Sequence, residues 1–138
     1  MSLFLGFLAL AALPQSATPS TDSAASATAA DAAIVAAARD FLVLGDQGRW
    51  EEGYRATGAA FRKLNTLEVW STVSQKVRPP LGTVLSRTLI SQEELPAPPH
   101  GYQVVKFRTR FANKADAVET VSLDYEDGGW RVVGVTIG

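Results

Sequence analysis

Arg78 and Arg87 are the residues of this chain best suited to binding chemistry. Arg78 closes a helical pattern, where its cation meets the final helical carbonyls favourably, and Arg87 follows in the first strand-like segment. Two guanidiniums turned into one cavity would hold a carboxylate or phosphate through paired N–H groups, with the Tyr54 hydroxyl facing the same space. The competing expectation is that each arginine anchors a carboxylate of the chain itself, with Asp40, Asp46 and Glu68 as candidates. A second set, Lys106, Arg108 and Arg110, alternates along one strand, so the three side chains share a face. That row suits an anionic polymer or headgroup. Its plainer reading is a solvated sheet face paired with Asp124 or Glu126, each exposed pair contributing only about 0–1 kcal/mol.

The other candidates are less equipped for chemistry. His100, the single histidine, lies between Pro99 and Gly101 in a proline-rich loop that supplies neither a positioned nucleophile nor a restrained geometry. Asp124, Glu126 and Asp127 gather at an expected hairpin tip. Calcium wants roughly six to eight oxygen ligands on a shaped loop, so these acids are read as solubilising. The chain has no cysteine, which excludes a thiolate nucleophile, a lipid-attachment cysteine, a disulfide framework and a cysteine metal site. No catalytic residue, metal or cofactor is expected. A formal net charge of -1 argues against a nucleic-acid partner.

The elements that must position these residues fall in two halves. Residues 1–17, with the apolar run Leu3 to Leu13, read as a signal peptide without a basic start. That run is too short for a transmembrane helix, which needs roughly 20 apolar residues. Residues 18–30 read as a disordered Ala/Ser/Thr linker, and residues 31–138 as one domain. The expected location is periplasmic or secreted, with the membrane met only during export. Asp31 is the expected N-cap of a first helix carrying Ile34, Ala37, Ala38, Phe41 and Leu42 on its apolar stripe. A second helix is expected over residues 50–64, with Trp50, Tyr54, Thr57, Gly58, Phe61 and Leu64 on its buried side. A third, capped by the Thr66 hydroxyl, is indicated by Val69, Trp70, Val73 and Val77 and stops at Pro79 and Pro80.

From Thr83 the apolar period changes to two. Strands are expected over residues 83–90, 102–111, 117–126 and 130–137, with a turn at Asp127-Gly128-Gly129. Val105, Phe107, Thr109 and Phe111 form one face of the clearest strand, and Val121, Leu123 and Tyr125 one face of the next. Three helices followed by strands in sequence give an α+β fold, with helices packed on the concave face of a curved antiparallel meander of three to four strands.

Several segments together resemble the bacterial domain-of-unknown-function family 4019. They are Phe41-Leu42 with Asp46 and Gly48, Arg78-Pro79-Pro80-Leu81-Gly82, Arg87-Thr88-Leu89, Val118-Glu119-Thr120-Val121, and Glu126-Asp127-Gly128-Gly129-Trp130-Arg131-Val132 with Gly134. The resemblance implies an exported small α+β protein, similar to cystatin-like or nuclear-transport-factor-like cones, and it brings no catalytic roles. Phe41 and Tyr54 stand where tryptophan is usual in that family, and Val135 where an aromatic often follows the glycine. Two functions remain open. One is a noncatalytic periplasmic module that binds a partner protein or envelope component through the sheet face or the proline-rich loop. The other is a small-ligand-binding or enzymatic domain, with its pocket between the helices and the concave sheet. Oligomeric state is not legible.

Overall fold

The computed structural model describes residues 21–96 and 101–138. The expected signal peptide and His100 lie outside the described residues. Helix α1 spans Thr21–Asp46, so it begins ten residues before the expected cap at Asp31. Residues 21–30 of the expected linker are helical because they are rich in alanine, the strongest helix former, and contain neither glycine nor proline. Asp31 sits inside the helix and accepts a hydrogen bond from Gln92 Nε2 at 3.2 Å. No described helix is long and apolar enough to cross a membrane.

The expected second helix is two short ones, α2 (Trp50–Arg55) and α3 (Ala59–Leu64). Between them the backbone turns extended, and Thr57 forms a parallel bridge with Val132. Gly58 N donates to Val132 O at 2.8 Å, and Val132 N donates to Ala56 O at 3.0 Å. The sheet edge thus claims backbone groups that a continuous helix would have satisfied internally. Thr57 is fully buried by this, whereas Leu64, expected on a buried side, is 86% exposed. Helix α4 (Leu67–Val77) starts as expected, the Thr66 hydroxyl accepting from Val69 N at 3.2 Å. A 3-10 turn at Pro79–Leu81 follows.

Four antiparallel strands form a meander in the order β1-β2-β3-β4: β1 Val84–Leu95, β2 Tyr102–Phe111, β3 Lys114–Glu126 and β4 Gly129–Ile137. The fold is α+β, as the change of period indicates. Asp127 and Gly128 both have positive φ, 51° and 77°, the backbone a tight type I′ hairpin requires. The inward face of β2 carries Val105, Phe107, Thr109 and Phe111, all buried, and that of β3 carries Ala117, Glu119, Val121 and Leu123. Helix α1 lays Ile34, Ala38, Phe41 and Leu42 on this face to close the core. Trp70 and Trp130 pack against its rim. Tyr125, on the strand face of Val121 and Leu123, is 54% exposed because it lies at the far end of the hairpin, where its ring stacks edge-on against Trp130 at 5.2 Å.

Candidate functional site

Arg78 and Arg87 meet, and they meet around two carboxylates. Asp46 is the last residue of α1, Arg78 caps the C-terminus of α4, Arg87 lies on β1, and Glu119 lies on the inward face of β3. Arg78 Nη2 reaches Asp46 Oδ1 at 2.8 Å and Glu119 Oε2 at 3.1 Å. Arg87 Nη1 and Nη2 take Asp46 at 2.8 and 3.1 Å, while its Nε and Nη2 take Glu119 Oε1 at 2.9 and 2.8 Å. Thr109 on β2 donates its hydroxyl to Glu119 Oε1 at 2.5 Å. Two cations and two anions from α1, α4, β1 and β3 therefore close one charge-balanced network. Burial alone works against the charge on Arg87. The Asp46 hydrogen bond and the charges of Glu119 and Asp46 more than offset that, holding its pKa above the ordinary arginine value.

Backbone details make room for this cluster. A Cβ on Gly45 would stand 2.8 Å from Arg78 Nε, so only glycine lets the guanidinium lie across the last turn of α1. The Arg78 cation also sits 5.9 Å from the centre of the Phe111 ring. Beside it, Arg39 lies 5.0 Å from the Phe107 ring centre and donates to Arg87 O at 3.4 Å. Of the three candidate carboxylates, Asp46 takes both arginines. Glu119 was missed although its signal is plain: it is the one acid at an inward position of a strand whose neighbours at that parity are Ala117, Val121 and Leu123.

The remaining candidates are placed elsewhere. The Tyr54 hydroxyl does not face the arginines: it donates to Asn65 O at 2.9 Å, tying α2 to the end of α3. Its position on α2 turns it toward that loop. Lys106, Arg108 and Arg110 share the exposed face of β2. Arg108 pairs with Asp116 at 2.7 Å, across the β2–β3 hairpin, rather than with Asp124 or Glu126. Glu126 accepts from Ala59 N at 3.0 Å and so serves the first turn of α3. Among the described residues no group of three histidines or acids is arranged to hold a metal ion.

Next to the network lies a cavity of about 380 Å³, bounded by α1, α2, α4 and the end of β4. Phe41, Trp50, Trp70, Val73, Val135 and Ile137 give it an apolar wall, and Arg49 and Arg78 are its charged members. Trp70 braces it, donating from Nε1 to Trp50 O at 3.0 Å and packing on Phe41 and Phe61 at centroid distances of 5.8 and 5.6 Å. A larger hollow of about 490 Å³ lies between α3 and the outer sheet face, but it is the more open of the two.

A family model described as a protein of unknown function, DUF4019, matches residues 37–135. The chain belongs to this family. The DUF4019 match takes in every member of the arginine–carboxylate network and all of the cavity wall except Thr136 and Ile137. No curated protein matches the chain significantly.

Proposed function

We propose that this chain is an exported, noncatalytic binding domain that takes a small ligand into the cavity between α1, α2, α4 and β4. One observation carries the reading: apolar space and charge lie side by side, but the charge is already used. Asp46, Glu119, Arg78 and Arg87 neutralise one another, while Trp50, Trp70 and Val73 beside them line unfilled volume. General acid or base catalysis needs a titratable group free to meet the substrate, and the acids nearest this cavity are committed to guanidiniums. Ligand sites are typically concave, mostly apolar and equipped with a few polar groups, which describes this space. Export is supported by the apolar run Leu3 to Leu13 and its small-residue continuation.

N-phenyl-1-naphthylamine, a neutral dye that brightens in apolar surroundings, tests the cavity directly. We expect a saturable rise in fluorescence with the wild-type chain. Val73→Phe, which adds volume at the cavity wall from a half-exposed position, should abolish most of that rise and move stability by no more than about 0.5 kcal/mol. Absence of saturable binding, or equal binding by Val73→Phe, would overturn the reading.

A further inference from the structure

We infer that the ligand of this cavity is a single-chain carboxylate, with its apolar tail inside and its headgroup held by Arg49 at the rim. The inference rests on the cavity being a binding site, as proposed above. Charge complementarity carries it. Among the described residues, the two ionisable side chains that line the cavity are both arginines, Arg49 and Arg78, and none is an acid. Asp46 and Glu119 neutralise Arg78, so the complementarity rests on Arg49, whose exposed pair with Glu52 is weak enough to share its cation with an amphipathic anion.

The two arginines are not equivalent. Arg78 has only 14% of its side chain exposed and is held by Asp46 and Glu119. Arg49, just before α2, is 50% exposed, and its partner Glu52 is 47% exposed. Its contacts are Nε to Glu52 Oε1 at 2.9 Å, Nη2 to Glu52 Oε2 at 2.7 Å and Nη1 to Gln47 Oε1 at 3.2 Å. Both guanidiniums keep N–H donors, but the Arg78 Nε is buried out of reach, whereas Arg49 is half exposed and its pair with the equally exposed Glu52 holds it only weakly. The headgroup site is therefore at the exposed Arg49 rather than at the neutralised Arg78.

Size narrows the tail. Ligand cavities run from roughly 300 to 1,000 Å³, and about 380 Å³ suits one acyl chain rather than the two of a membrane lipid. Trp50 and Trp70 present flat apolar surfaces to such a chain, and Ile137 lies at the β4 side.

Displacement of N-phenyl-1-naphthylamine by decanoate and by decanol separates headgroup from tail. In the wild-type chain decanoate should displace the dye at about tenfold lower concentration than decanol, the advantage of one charge-assisted hydrogen-bonded contact. High salt should shrink that advantage, because Arg49 is exposed. Arg49→Gln should remove it while leaving decanol unchanged, and Arg49→Lys should keep part of it. If decanol and decanoate displace equally, or Arg49→Gln retains the preference, the carboxylate assignment fails and the cavity reading stands. If the dye binds to neither wild type nor variant, both fail. Should Arg49→Gln not fold, the salt dependence and Arg49→Lys decide: a salt-independent preference, or one identical in Arg49→Lys, overturns the role of Arg49.

Discussion

A carboxylate stripped of water keeps its charge only where other groups replace the lost hydration. Glu119 has no exposed surface and three such groups, Arg78, Arg87 and Thr109. Replacing a buried ion pair wholesale is often tolerated, but deleting one partner strands the other. Glu119→Gln leaves two guanidiniums facing Asp46 alone, and we expect a loss of roughly 3–5 kcal/mol, read as a drop in urea midpoint. Asp46→Asn, with 20% of its side chain in contact with water, should cost less. Equal losses, or a Glu119→Gln loss below about 1 kcal/mol, would show that the network is not a buried one. The raised pKa of Arg87 adds no pH dependence near neutrality. Stability gained from a raised cationic pKa is complete below the ordinary value and is lost only as pH climbs through the folded-state value, here strongly alkaline. Half of this network was legible beforehand. Arg78 and Arg87 stand out by their placement at a helix end and in a strand, whereas Asp46 is one of three candidate carboxylates, with Asp40 and Glu68, among which the pattern does not choose. Glu119 shares the parity of Val121 and Leu123, and that acid at a core position is the signal in the sequence that was passed over.

Strands were more legible than helices because alternation survives in a short segment, whereas helix boundaries depend on tertiary competition. The β2 assignment matches the observed span, and β1 and β3 merely extend further than their strongest alternation. The helix expected over residues 50–64 failed at Thr57, where pairing with Val132 outbids helical hydrogen bonds, and nothing local announces that partner. The connection after α4 shows how tightly one residue can govern an element. Gly82 has φ 80° and ψ -168°, a region essentially reserved for glycine. A Cβ there would also lie 3.0 Å from Asn113 Nδ2 and 3.1 Å from Ala112 Cβ. Gly128 has a similar φ of 77° but open space around it. We expect Gly82→Ala to cost about 3 kcal/mol, from backbone strain plus displaced neighbours. Gly128→Ala should cost only about 1–2 kcal/mol, from strain alone. Matching losses in chemical denaturation would mean that the contacts around Gly82 carry no weight.

At the scale of the whole molecule, stability is unevenly spread, and the cavity lies where it is thinnest. Helix α1 and the sheet bury the continuous core of Ile34, Leu42, Phe107, Val121 and Leu123. Helix α4 is held chiefly at Trp70 and, just beyond its end, at Arg78, while Val69, Val73 and Val77 stay 51%, 53% and 43% exposed. A helix with so little buried apolar area draws little from packing, and eleven residues are too few to be stable alone, since isolated helices shorter than roughly 12–15 residues are marginal. Local opening therefore belongs to α4 and α2, the two helices whose separation would admit a ligand between Trp50, Trp70 and the end of β4. Hydrogen exchange read by mass spectrometry should show amides of α4 exchanging well before those of β2, β3 and the second half of α1. A ligand that fills the cavity should slow α4 and α2 selectively, because opening them then requires releasing it. Uniform exchange across α4 and the sheet would mean that the helix shares the global unfolding unit. Protection spread evenly on ligand addition would place the bound molecule somewhere other than under α4.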